Sequence, residues 1–208
     1  MRAPGKPIDK LYLASSNTGK LREFQALANS ADAVGPRVAL ESLPWFDALP
    51  AFEENAPTFA ENALGKALYY SQGCDEFVFA DDSGLVVPAL GGAPGVLSAR
   101  YAGPTASSAE RIAKLLEALR GVKGNERRAY FVCAIALASR GRAVAIVTDR
   151  VDGEILESPQ GGGGFGYDPA FYFPPLSKAF AELTADEKNQ HSHRGKAFRK
   201  LLGVLRER

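Results

Sequence analysis

Apolar residues first cluster over Lys10–Ala14 (KLYLA), a run of the right length for one buried strand. They recur at Leu21, Phe24, Leu27 and Ala28, the spacing of a helix face, so the polar stretch Ser15–Lys20 (SSNTGK) reads as the turn between them. Ala33–Leu49 is weakly patterned, with Val38–Leu40 a candidate strand. Thr58-Phe59-Ala60-Glu61 has the form of a capping box, and the helix it opens runs to about Gln72 with Asn62, Lys66 and Tyr70 on one face. Phe77–Ala80 reads as a compact buried strand ending at Asp81-Asp82-Ser83-Gly84, and Val86–Gly95 as a loop.

A second capping box, Ser107–Glu110, precedes the stripe Ile112, Leu115, Leu116, Leu119, which Gly121 closes. Tyr130–Ala138 and Ala143–Thr148 flank Ser139-Arg140-Gly141 as a hairpin, and Val151–Leu156 extends that sheet. Pro159–Gly166 (PQGGGGFG) is a loop, because four successive glycines hold regular structure poorly. Thr184–Glu187 is a third box, and a last amphipathic helix after Ser192 carries Ala197, Leu201 and Leu205. This order predicts a mixed α/β fold, two-lobed around a mixed sheet. Its 208 residues suit a single domain over 1–208.

Composition narrows the partners. Twenty-five Lys and Arg against 24 Asp and Glu leave a net charge of +1, so no global basic field exists to grip a nucleic acid polymer. An anionic ligand must be met by a local cluster of cations. Cys74 and Cys133 show no metal-ligand spacing and read as core residues, unpaired. No apolar stretch approaches the ~20 residues of a membrane span. The stretch Met1–Lys10 lacks a signal-peptide core, so a soluble cytoplasmic protein is expected.

Several segments could carry chemistry. A loop leaving a buried strand for a helix aims backbone N–H groups and a helix dipole at an anion, and Ser15, Ser16, Asn17, Thr18, Gly19 and Lys20 add hydroxyl, amide and ammonium donors. The same residues also fit a plain N-capped turn with a solvated lysine. Asp81 and Asp82 stand where open α/β sheets place their ligand crevices. Adjacent strand positions face opposite ways, so one acid can hold Mg2+ or a water while the other braces backbone. Glu53 or Glu54 could add an acid to the same metal, or form an exposed acidic loop; Lys66 is either functional or solvated. Phe165-Gly166-Tyr167-Asp168 could stack a base and accept hydrogen bonds. Lys188 and Ser192-His193-Arg194 gather donors suited to a keto oxygen or a phosphate.

In order along the chain, SSNTGKLREF, TFAENALGKA, ADDSGLVVPALGGAPGVLSARYAG, GGFGYDPAF and AELTADEKNQHSHRGKA resemble the inosine triphosphate pyrophosphatase family, which acts on noncanonical purine nucleoside triphosphates. The resemblance implies an α/β, two-lobed mixed-sheet fold with the active site in the cleft between lobes, and a homodimer. It implies Mg2+-dependent attack of water on the α-phosphorus of ITP, dITP or XTP, releasing pyrophosphate. Ser15–Lys20 would hold the triphosphate. Asp82 would be the catalytic acid and a metal ligand, with Glu54 or its neighbour Glu53 as the second. Ser83, Lys66 and Lys188 would contact the nucleotide. Phe165, Gly166, Tyr167, Asp168, His193 and Arg194 would hold the base and read its 6-keto group. The partner is then a small nucleotide, with neither nucleic acid polymer nor membrane. Two departures stand out: Ser16 replaces a glycine usual in the family, and residues 1–9 form an N-terminal extension.

Overall fold

The structure, a computed structural model, describes residues 8, 10–29 and 38–207; apart from Ile8, the expected extension over 1–9 lies outside them, as does the stretch 30–37. Seven strands form one mixed sheet: β1 (Lys10–Leu13), β2 (Ala39–Ser42), β3 (Phe77–Val86), β4 (Arg128–Ser139), β5 (Arg142–Ile155), β6 (Phe171–Phe173) and β7 (Lys178–Ala179). Their order across the sheet is β2-β1-β3-β4-β5-β6-β7. β1 runs parallel to β2 and β3, whereas β5–β6 and β6–β7 are antiparallel. Among the described residues five α-helices accompany them: α1 (Thr18–Asn29), α2 (Phe59–Tyr70), α3 (Ser108–Ala118), α4 (Ala185–His191) and α5 (His193–Arg206).

Contacts divide the chain into two compact units. The first takes the described residues up to Asp82, then Cys133–Asp149 and those from Arg194 on; the second takes Ser83–Val132 and Arg150–His193. In the first unit, strand alternation sorts the core into two clusters. Leu11, Leu13, Phe79, Cys133, Ile135 and Leu137 meet α1 and α5 through Phe24, Leu27, Phe198 and Leu201. The intervening positions Val78, Ala80, Ala134, Ala136 and Ala138 cluster with Ala63, Ala67 and Tyr70 of α2. Alanines on that face let a helix carrying Ala63 and Ala67 come close.

In the second unit, Ile112 and Leu115 of α3, with Leu119 just past its end, pack with Leu85, Phe131, Val151, Ile155, Phe171 and Phe180. Arg127, buried, gathers loose ends there by donating to the carbonyls of Leu119, Val122, Ile155 and Leu156.

Local signals behave as their physics predicts, with three corrections. The boxes at Ser107–Glu110 and Thr184–Glu187 form in both directions. At Thr58 the hydroxyl accepts from the Glu61 N–H, while the Glu61 carboxylate takes the Thr58 hydroxyl instead of the backbone N–H. The β4–β5 hairpin turns through Arg140 and Gly141, both at positive φ (52° and 67°), the conformation a two-residue turn requires. The first correction is β3, which does not stop at Ala80 but runs on through Asp81-Asp82-Ser83-Gly84 to Val86. The second is β5, one continuous strand where two segments were expected. The third is α1, which starts at Thr18 and so takes Thr18, Gly19 and Lys20 out of the turn into its first coil. No helix among the described residues is long and apolar enough to cross a membrane.

Candidate active site

The alternation that sorts the core also sorts the acids. Asp81 shares the parity of Phe79 and enters the side lined by α1 and α5; Asp82 shares that of Ala80 and faces α2. Asp81 is fully buried. Lys20 Nζ lies 2.9 Å from its Oδ2, and Arg194 Nη2 lies 3.9 Å from the same oxygen. Burial works against its charge most strongly, yet Lys20, Arg194 and Lys66 together hold this carboxyl well below the usual range. Arg194, itself buried over the Phe24 ring, is also paired with Glu23 of α1. The result is a buried ion network with Asp81 at its centre.

Asp82 is in the opposite condition. It is 7% exposed, and burial first and the nearby Glu54 carboxylate second raise its pKa to about 6. An amide hydrogen bond from Asn62, 3.0 Å from Oδ2, and the charges of Lys66 and Lys20 offset only part of this. Glu54 is partly exposed and paired with Lys66 of α2. Glu53, by contrast, is exposed and accepts from Asn55 at 2.9 Å, so the two neighbours separate and Glu54 is the acid beside Asp82. A buried carboxyl whose ionisation a neighbouring carboxylate opposes makes, with that neighbour, a donor set that a divalent cation would relieve. Among the described residues no three of His, Cys, Asp and Glu form a metal cage. Mg2+ does not need one, since it commonly takes one or two carboxylates and completes its shell with water and phosphate.

The N-terminal turn of α1 stands beside this network through Lys20. Asn17 closes it, its Oδ1 accepting from the Lys20 N–H at 3.1 Å while its own N–H donates to Ser15 Oγ at 3.2 Å. Ser16, Asn17, Thr18 and Gly19 are exposed, so a helix N-terminus next to a lysine faces outward, the arrangement that receives phosphate.

The second unit carries the aromatic and donor residues. The Phe165 ring is 44% exposed, and Lys188 Nζ lies 4.4 Å from its centroid. Asp168, buried, accepts from the Phe165 N–H and from Lys188 Nζ, each at 2.8 Å, and so fixes the ring and the ammonium together. Gly164 permits this turn, since its φ is 71° and a Cβ there would collide with the Asp168 carboxylate. Tyr167 is buried, its hydroxyl donating to the Ser98 carbonyl at 2.9 Å, which makes it a strut for the loop. His193 lies stacked on Phe131 at 4.9 Å and 14°. Ser83 follows Asp82 in β3, and Gly166 sits at φ 63° between Phe165 and Tyr167.

The structure therefore gathers Lys20, Glu54, Lys66, Asp82 and Arg194 in one unit and Phe165, Tyr167, Asp168 and Lys188 in the other. It leaves Glu53 aside. His193 and Arg194, adjacent in sequence, turn to different surroundings: an aromatic stack for one, Glu23 and Asp81 for the other. Two members, Asn62 and Glu23, escaped the sequence reading as site residues. Asn62 lies four residues before Lys66 on one helix face, and Glu23 three after Lys20, which is the spacing that could have disclosed them.

Comparison with known proteins adds the family. A dITP/XTP pyrophosphatase of Geobacillus kaustophilus is 50% identical over 93% of each chain, and one of Thermus thermophilus is 46% identical over 95% of this chain and 92% of its own. Among solved structures, a HAM1 protein from Coxiella burnetii is 42% identical with a TM-score of 0.83, covering 96% of this chain and 99% of that one. The Ham1 protein of Staphylococcus aureus is 37% identical with a TM-score of 0.82, covering 94% and 97%. The Ham1 family model matches residues 11–204, and the chain belongs to the Ham1 family.

Proposed function

We propose that this protein hydrolyses noncanonical purine nucleoside triphosphates (ITP, dITP and XTP) to the monophosphate and pyrophosphate with the help of Mg2+. The observation that carries the chemistry is the division of labour between consecutive acids. Asp81 is spent on Lys20 and Arg194, while Asp82 stands beside Glu54 with its charge only partly compensated. Glu54 and Asp82 would hold the metal, which supplies positive charge to the phosphate oxygens.

The chain's own residues do the rest. Ser15 and the exposed residues Ser16–Gly19, at the entry and first coil of α1, offer N–H groups and hydroxyls to the phosphate tail, with Lys20 and Lys66 at their side. Asp82, when ionised, accepts a hydrogen bond from the attacking water and orients it, an effect worth about 10²–10⁴-fold. In the second unit the Phe165 ring offers a surface for a purine, and Lys188 is held beside it by Asp168. A keto oxygen at position 6 accepts from donors there. An adenine amino group does not, and each donor left unpaired costs roughly 1–3 kcal/mol. We extend the proposal to a homodimer working on the cytoplasmic nucleotide pool, as the family resemblance implies; a single boundary at monomer mass in sedimentation would refute the dimer.

The deciding experiment is a substrate panel with Mg2+, reading pyrophosphate release. ITP and XTP are expected to turn over at least about 10²-fold faster than ATP, the preference that one or two unpaired donors produce. Equal rates on all of them would remove the specificity, and no release from any would remove the enzyme.

A further inference from the structure

Asn62 has the burial of a core residue and the bonding of a brace. It is 1% exposed, and every polar atom of its side chain is engaged. Oδ1 accepts from the Ala56 N–H at 2.9 Å; Nδ2 donates to the Ala56 carbonyl at 3.3 Å and to Asp82 Oδ2 at 3.0 Å. This set admits one amide orientation. Turning the amide over would set an oxygen against the Ala56 carbonyl and the Asp82 carboxylate and an NH₂ against the Ala56 N–H. Ala56 is gripped through both of its backbone groups, and it lies two residues beyond Glu54. One helical turn further along α2, Lys66 takes the Glu54 carboxylate itself. A single face of α2 thus holds both acids: Asn62 holds Asp82 and the backbone behind Glu54, and Lys66 holds Glu54.

We infer that Asn62 is a positioning residue that fixes Asp82 and the Glu54 segment relative to each other so that the two carboxylates take one divalent cation together. The inference rests on the pyrophosphatase reading and deepens it. By holding Oδ2 of Asp82, the Asn62 amide leaves Oδ1 as the oxygen presented to the ion and prevents the carboxylate from rotating. Its removal frees Asp82 to turn and releases the backbone of the 54–56 segment, so the pair loses its preset spacing. Groups that orient ligating carboxylates typically change metal affinity about 10–100-fold when removed.

The test uses two variants of the full chain. Asn62→Ala deletes the brace; Asn62→Leu keeps roughly its shape, adds no charge, and loses the acceptor and both donations. Mn2+ binding, measured by paramagnetic resonance with the metal alone, should weaken about tenfold in each. The Mg2+ concentration giving half-maximal pyrophosphate release from ITP should rise by the same factor. At saturating Mg2+, kcat should recover and the KM for ITP should stay within about twofold of wild type, since no contact to the nucleotide has been removed. A merely structural role would lower the active fraction and leave the metal midpoint where it was. Should Asn62→Ala not fold by circular dichroism, Asn62→Leu decides alone. Wild-type metal affinity in a folded variant, or failure of both to fold, overturns the inference while leaving the pyrophosphatase reading intact. A wild-type protein that neither binds Mn2+ nor releases pyrophosphate overturns both.

Discussion

Asp81 and Asp82 are chemically identical neighbours, and the same substitution should move stability in opposite directions at the two positions. Asp81→Asn leaves the buried Arg194 and the half-buried Lys20 without their shared counter-charge, which costs about 3–5 kcal/mol for a broken buried pair. Chemical denaturation should show that loss directly. At Asp82 the folded protein already resists ionisation. Its carboxyl titrates near pH 6 against an unfolded reference of 3.8, so folding takes up a proton between these values. This acid's contribution therefore becomes less favourable as pH rises from about 4 through 6 and stays constant above, with a limit of about 3 kcal/mol. Asp82→Asn removes that burden, so metal-free protein at pH 8 should melt at a higher temperature than wild type. The same variant should lose turnover by about 10²–10⁴-fold, because the group that orients the water is gone. With Mg2+ kept below saturation, wild-type kcat/KM should fall as pH drops through about 6, when Asp82 takes its proton. A profile flat from pH 8 to 5 would detach Asp82 from the rate.

Short elements set these side chains in place, and much of their pattern is open to a reader of the sequence. The stripes of α1, α3 and α5, three capping signals and the Arg140-Gly141 turn follow from local chemistry, and local chemistry wins there. The length of β3 does not. Asp-Asp-Ser-Gly has the composition of a turn, yet it continues β3 past the last residue paired with β1, Phe79, in a strand whose other neighbour is β4, so tertiary context overrides propensity. For the same reason the sequence shows that the two acids differ but not which one meets Lys20. β6 and β7, of three and two residues, carry no periodicity to detect. Glu53 and Glu54 are equivalent on paper and are separated by their contacts, Lys66 and Asp82 for Glu54 and the exposed Asn55 amide for Glu53. The glycine run is legible as a loop, but the need for glycine at 164 arises from Asp168 lying against it. Gly164→Ala should therefore disturb the turn that holds Phe165 and Lys188, raising the KM for ITP about tenfold for a strain of 1–3 kcal/mol while largely sparing kcat. A change confined to kcat would place that loop in the chemical step instead.

At the scale of the whole molecule, the first unit is assembled from three separate stretches of chain, the last of which is α5. Phe198, Leu201, Leu202 and Leu205 are buried in the same cluster as Leu11, Leu13 and Phe24. A chain ended after His193 would lose these four side chains, each worth about 1.5–3 kcal/mol of burial, which together match the usual stability of a domain. It should lose near-ultraviolet circular dichroism and bind hydrophobic dyes; a cooperative melt in that truncation would show the cluster to be dispensable. The alternation in β3 carries a consequence for how this gene can drift. Apolar exchanges of similar size between Phe77 and Ala80 can be absorbed one at a time, but inserting or deleting a single codon there would exchange the surroundings of both acids at once. Related genes should accordingly vary in which apolar letters fill this stretch and not in its count.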